Sequence, residues 1–443
     1  MREITPDNAV FVLISFEGPD AYSQAGGLGV RMTGLGETLA QQGFETHFFF
    51  IGDPRRPGEE RQLNGKLVLH RWGQWISRNC PTGVYEGQDA KRADMEKSLP
   101  PWARDHVIIP ALSAGKTPVI LLEDWQTVRT GILLSEDLRQ RAARDKCMMF
   151  WNANNPYGFE RVDWKALSNA VTITAVSKYM RSIIRASGVD AVVIPNGISE
   201  DLLRPVLRDD FAFAVEALGR VARELRPGLF FKMARWEREK GWSQALEAIR
   251  LSHERPRRMI LIGRAGGPTG QGGALAIAIE AEMHGLRVVQ APTEQAFRDS
   301  LGDHIRNGVD VISLGFGVTP TLARTLYRVC DGVLANSVSE PFGLVGLEAM
   351  AANGIAYTGG TGEDYAITGR NAVVLESLEA MEIVERWEQL SASPRRLAAI
   401  RRQARATARE YIWPNVVKAL LAAVGKQLGR QASTRRPRKS KQA

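Results

Sequence analysis

The chain has 443 residues, of which 44% are hydrophobic and 24% charged, with a net charge of +9. At about 100–200 residues per domain this length calls for two or three domains, and the composition excludes a largely disordered chain. The longest apolar stretches, such as Ala9 to Phe16, fall well short of the roughly 20 residues that a membrane-spanning helix needs. Met1-Arg2-Glu3 and the Gly-rich turn after the first apolar run do not form a signal peptide. Cys80, Cys147 and Cys330 are scattered and lack a CxxC spacing, so a reducing compartment, no disulfide framework and no structural zinc are expected. The expected location is the cytoplasm. Six of the nine net charges sit in residues 430–443, as Arg430, Arg435, Arg436, Arg438, Lys439 and Lys441, which leaves +3 for the body. That tail reads as a solvated, disordered extension. Its sharper alternative is contact with anionic lipid or RNA, at about 1 kcal/mol per basic residue near a charged membrane.

Ala9 to Phe16 is a continuous apolar, β-branched run that predicts a buried parallel strand. Gly26-Gly27-Leu28-Gly29 comes next, then a helical period from Val30 to Gln42 that stops at Gly43, and a strand over 46–51. This βαβ unit recurs in strands at 118–122 and 170–175, a helix at 177–187, and Ala191 to Ile194 running into Pro195-Asn196-Gly197-Ile198. A Pro-marked crossing near Leu203-Arg204-Pro205 opens a second α/β series. Its predicted strands lie at 229–233, 258–262, 309–314, 332–335, 355–357 and 372–375. Thr319 and Pro320 predict the N-cap and first position of a helix to Cys330. Charged helices fill 378–409, and Tyr411 to Leu428 is apolar on one face. Two consecutive α/β runs predict two doubly wound, Rossmann-like domains facing a cleft.

Three segments carry candidate chemistry. The glycines of Gly26 to Gly29 let a ligand approach the backbone at a helix start, although Met32 stands where a dinucleotide fingerprint would have its third glycine. Arg235 and Lys240 flank a short loop after a predicted strand, where two cations can converge on a diphosphate. Asn336 to Met350 lies after another strand. Pro341 and Gly343 there preclude a continuous helix, so Glu340 lies in a turn, the amides of Phe342, Gly343 and Leu344 stand free, and Glu348 sits about one turn into the next helix. Carboxylates suit sugar hydroxyls and a ribose diol, and amides suit phosphate. Surface acids at a helix start are the plain alternative.

This block resembles the EX7E motif of retaining glycosyltransferases of the GT-B fold, especially glycosyltransferase family 4 and more distantly the bacterial glycogen and starch synthases. Arg235 and Lys240 match the family's diphosphate-neutralising pair, and Gly26 to Gly29 its glycine loop. Glu123-Asp124-Trp125-Gln126-Thr127 is similar to the synthases' Asp-Trp-His-Thr segment. Where the family carries a histidine that contacts the donor sugar, this sequence has no histidine, and Asn152 is the positional match. Gln24 and Ala25 stand where the synthases have a lysine, which points to a generic family 4 transfer.

The resemblance implies an N-terminal acceptor domain at 1–204 and a donor domain at 205–409. A helix at 410–428 would return to the first domain, and 429–443 would be the basic tail. It implies a hexosyltransferase using a nucleotide diphosphate sugar and a saccharide or lipid-linked acceptor, with no cofactor and no metal. Arg235, Lys240 and Glu340 would be catalytic, and Gly27, Gly29, Phe342, Gly343, Leu344 and Glu348 would bind the donor. From its charge alone, the tail keeps peripheral contact with the membrane's inner face as the alternative to a solvated extension, and no specific nucleic acid is expected. A glycosidase, a GT-B epimerase acting on the nucleotide sugar, and a membrane- or RNA-binding protein are the alternatives.

Overall fold

The computed structural model describes residues 3–219, 226–266 and 272–434, with side chains for 3–219, 226–266 and 273–428. The chain divides into two units, the first running to Gly197 and resuming at Trp413, the second spanning Ile198–Ile412. The first holds an eight-stranded sheet of β1 (Ala9–Ile14), β2 (Glu45–Ile51), β3 (Glu59–Gln62), β4 (Leu67–Trp72), β5 (Thr117–Glu123), β6 (Met148–Ala153), β7 (Thr172–Ala175) and β8 (Val192–Val193). Their order is β3-β4-β2-β1-β5-β6-β7-β8, and only the β3–β4 pairing is antiparallel. All six residues of β1 are buried, as a strand covered by helices on both faces requires.

The second unit holds a seven-stranded sheet of β9 (Gly228–Arg235), β10 (Met259–Gly266), β11 (Val288–Ala291), β12 (Val311–Leu314), β13 (Gly332–Ala335), β14 (Ala356–Thr358) and β15 (Val373–Val374). The order is β11-β12-β10-β9-β13-β14-β15, parallel throughout. Strand order reverses between β1 and β5 in one sheet and between β9 and β13 in the other. Outside the carboxyl ends of such a pair, open parallel sheets leave a crevice for ligands.

Four helices shape the switch points and the cores: α1 (Gly27–Gln41), α2 (Pro320–Val329), α3 (Leu344–Ala351) and α4 (Trp413–Thr434). The Thr319 hydroxyl caps α2 by accepting from the Leu322 amide at 3.2 Å. Helix α4 adds Trp413, Val416, Val417, Leu420 and Val424 to the core formed by Phe11, Leu13, Met32 and Leu35 of the first unit. Each fully buried side chain of this size contributes about 1.5–3 kcal/mol. The Trp413 ring lies so close to Gly34 and Gly197 that a Cβ at either would run into it. The second core gathers Phe230, Trp242, Leu261, Tyr357 and Trp387.

Several expectations need correction. The chain leaves the first unit at Gly197, not near residue 204, because Arg324 and Arg405 of the second unit donate to the carbonyls of Leu203, Arg204 and Pro205. Ala170 ends a helix (Trp164–Ala170) capped by Asp163 and does not open β7. Strands β3 and β11 escape the hydrophobic pattern because they are short edge strands, β3 reading Glu-Glu-Arg-Gln. Residues 429–434, expected in the disordered tail, continue α4. The remainder of that tail, 435–443, lies outside the described residues.

Candidate functional site

Strand β9 ends at Arg235, and β13 leads into the turn from Asn336 to Gly343, so both segments open at the second unit's switch point. The Lys240 Nζ donates to Glu340 Oε2 at 2.8 Å, and the pair is largely but not fully covered. The two loops are tied together. The Val338 amide donates to the Glu239 carbonyl at 2.8 Å, and the left-handed Gly241 (φ 66°) abuts the Asn336 carbonyl, leaving no room for a Cβ. Arg235 is exposed and pairs with Glu237 at 2.8 Å. Arg238 and Glu239 are exposed.

Gly343 caps α3 in the left-handed region (φ 76°), which fixes the start of α3 at Leu344. The amides of Phe342, Gly343 and Leu344 have no acceptor among the described residues. With the positive end of α3 behind them they favour an anion. Glu348 accepts from the Tyr327 hydroxyl at 3.0 Å. Loss of hydration pushes its carboxyl up to about 7, against the pull of that hydrogen bond.

Two features escaped the sequence reading. Lys232, inside β9, is buried and donates to the Leu334 carbonyl (3.2 Å) and Asn336 Oδ1 (2.6 Å), with its ammonium over the Trp242 ring. Burial, with the Lys240 charge adding to it, lowers its pKa to about 7. A lone lysine in an apolar strand was the available signal. The other feature is the loop Gly359-Gly360-Thr361-Gly362-Glu363 after β14. The Thr361 hydroxyl accepts from the Glu340 amide (2.8 Å) and donates to the Glu340 carbonyl (3.1 Å). Glu363 is buried with both carboxyl oxygens unpartnered, and burial above all, with the Glu340 charge adding to it, raises it to about 8. A glycine-rich run after a strand could have pointed to this loop.

The first unit's switch point is wired differently. Glu17 Oε2 accepts from the amides of Ala25 (3.1 Å), Gly26 (3.0 Å) and Gly29 (3.0 Å), and the Tyr85 hydroxyl donates to Oε1 at 2.5 Å. The glycine loop therefore already holds an anion, its own Glu17. Of the two glycines expected to bind the donor, Gly27 opens α1 and Gly29 gives its amide to Glu17. Arg31 Nε lies 3.2 Å from both Glu123 carboxyl oxygens, and its guanidinium also donates to Asn196. Asn152, expected to contact the sugar, is buried; its Nδ2 donates to Glu123 at 2.9 Å and its Oδ1 accepts from Thr174 at 2.9 Å. Asp124 adopts φ 58°, ψ 173°, a glycine-like conformation, and accepts from the Asn154 amide (2.7 Å) and Asn155 Nδ2 (2.9 Å). Burial, then the Glu123 charge, pushes its carboxyl up to about 8.

Among the described residues no group of three or more His, Cys, Asp or Glu could hold a metal ion, and no helix is long and apolar enough to cross a membrane.

Residues 219–407 match the model of the family "Glycosyl transferases group 1". The chain thus shares the fold of two Rossmann-like units with solved GT-B structures, and the match to the group 1 model falls in its second unit. It is 23% identical over 431 residues to a D-inositol 3-phosphate glycosyltransferase of Xylanimonas cellulosilytica, covering 93% of each chain. Its structure is similar to a sucrose-phosphate synthase of Thermosynechococcus elongatus (TM-score 0.65, 19% identity, 96% of this chain and 100% of that one). It is also similar to the catalytic domain of starch synthase IV of Arabidopsis thaliana, bound to ADP and acarbose (TM-score 0.63, 15% identity, 96% and 100%).

Proposed function

We propose that the protein is a retaining glycosyltransferase of family 4 that moves a sugar from a nucleotide diphosphate sugar to a saccharide or other hydroxyl acceptor without a metal. The observation that carries this is the Lys240–Glu340 pair beside the unbonded amides of Phe342, Gly343 and Leu344, at a switch point. Arg235 and Lys240 neutralise the diphosphate, the amides hold its oxygens, and Glu348 accepts from the ribose hydroxyls. The bond between the anomeric carbon and the phosphate oxygen breaks with its electron pair going to the diphosphate. The acceptor oxygen bonds the same face, and its proton passes to the leaving phosphate. Glu340 lies against the sugar and stabilises the electron-poor anomeric carbon. The family match supports this reading, as do the ADP and acarbose held by the similar starch synthase domain.

The test is calorimetric titration with UDP, GDP and ADP and their sugars, then turnover with the best donor and an acceptor panel, read by NMR. Binding of one nucleotide sugar and an α-linked product from an α-linked donor, with EDTA without effect, is expected. Inversion, EDTA-sensitive turnover, or conversion of donor without acceptor overturns it, the last in favour of an epimerase.

A further inference from the structure

Away from the switch point, the carboxyl end of β4 opens into a hollow of about 460 Å³ lined by Trp72, Gln74, Trp75, Arg78, Asp94 and Ser98, among others. The hollow is shallow and open to solvent over most of its extent, so it offers a surface for a small ligand to lie against and does not enclose one. Trp75 is the single exposed tryptophan of the ten in the chain, with 66% of its surface open to solvent. Its exposure is built into the backbone. Gly73, at φ 63°, reverses the chain after Trp72, and buried Ile76 and Ser77 pin the short helix that carries Trp75 outward. Trp72 is a fixed wall, edge-on to Trp102 with centroids 5.7 Å apart, its Nε1 donating to Ser98 Oγ at 2.8 Å. A wall already ordered loses little side-chain entropy when a ligand arrives.

The polar lining is as telling as the rings. The Arg78 guanidinium and the Asp94 carboxylate line the same hollow, yet neither side chain has a hydrogen-bond or ion-pair partner among the described residues. Arg71, which also borders it, has its guanidinium fully covered and tied to Asp20 and Glu60. One open cation and one open anion favour a neutral ligand, because a phosphate would meet Asp94 and an ammonium would meet Arg78. The ligand must offer hydroxyls that both donate and accept, and an apolar face for an indole. We propose that this hollow is a binding site for a neutral saccharide, with a pyranose ring stacked on Trp75 and its hydroxyls shared by Arg78 and Asp94. The proposal goes beyond the transfer reading and stands without it, since no donor is needed for binding.

The test uses the full chain labelled with 5-fluorotryptophan and monitored by 19F NMR, the Trp75 line being assigned from Trp75→Phe. The probes are unlabelled mono- to tetrasaccharides of glucose, galactose and mannose, with glucose 6-phosphate and UDP as charged controls. At least one neutral saccharide should shift the Trp75 line while the lines of buried tryptophans hold. Arg78→Ala and Asp94→Ala should each weaken that binding about tenfold or more, and Trp75→Tyr, which lacks the reporter and is read by calorimetry, should retain it within a few-fold. No shift with any neutral saccharide, a shift that survives both alanine variants, or a shift with glucose 6-phosphate alone overturns the proposal. UDP binding separates the two readings. If UDP fails to bind anywhere while a saccharide moves the Trp75 line, the transfer reading fails and this one stands.

Discussion

The two switch points share a topology and differ in what fills them. Between β1 and β5, carboxylates and cations are matched inside the protein, Glu17 to three amides and Tyr85, and Arg31 to Glu123 and Asn196. Between β9 and β13, three amides stand unbonded, Glu363 has both oxygens unpartnered, and Arg235 is exposed. A buried polar group without a partner carries a desolvation cost of about 1–3 kcal/mol. Unmet groups gathered at the second switch point therefore mark where a ligand completes the structure, whereas at the first the charged groups are matched and the unpartnered buried atoms are neutral ones, of Ser15, Trp125 and Gln126.

The comparison breaks first on stability. Glu123→Leu strands the buried Arg31 and should cost about 3–5 kcal/mol in urea unfolding, with Arg31→Met added to it recovering most of the loss. Lys240→Met breaks a pair closer to solvent and should cost about 1 kcal/mol or less. Equal losses would show that the second edge is as much a scaffold as the first. For activity the order reverses. On the proposed transfer, in which the leaving diphosphate gains charge in the transition state, Arg235→Ala and Lys240→Ala should each lower kcat by about 10²–10³-fold, or roughly 3–4 kcal/mol. Exposed Arg238 and Glu239 should tolerate alanine in the same assay. Glu340→Gln should lower kcat, and Glu348→Gln should mainly raise KM, since a ribose contact is the same in ground and transition states.

The pH dependence sharpens the contrast at a smaller scale. Burial lowers His70 in the first unit to about 3, so its contribution to stability is present above pH 6.5 and is lost as pH falls toward 3. Glu363 is raised to about 8, so its contribution is present below pH 4.5 and is lost as pH rises through 8. His70→Phe should flatten the acid side of the Tm–pH curve and Glu363→Gln the alkaline side, each by about 2–4 °C. A curve unchanged by either variant would remove these groups from the linkage. The smallest effect belongs to the glycine loop, where Tyr85→Phe should cost about 1 kcal/mol by removing one donor to Glu17.

The sequence by itself determined the elements whose cause is local. An unbroken apolar run made β1, a threonine before a proline made the start of α2, and Pro341 with Gly343 forced the turn that separates Glu340 from Glu348. The Arg235 to Lys240 spacing at a strand end was equally legible. Tertiary structure alone decided which polar groups meet. Lys232 finds Asn336 across 104 residues, Thr361 reaches Glu340 across 21, and Asn152 is drawn from the expected sugar contact into a bond with Glu123 across 29. It also decided that α4 belongs to the first core, since an apolar helix face can pack on any exposed core and only the close approach of Trp413 to Gly34 and Gly197 selects this one. Periodicity and capping act within a few turns of chain, whereas a hydrogen-bond partner is chosen by whichever strand the topology brings alongside.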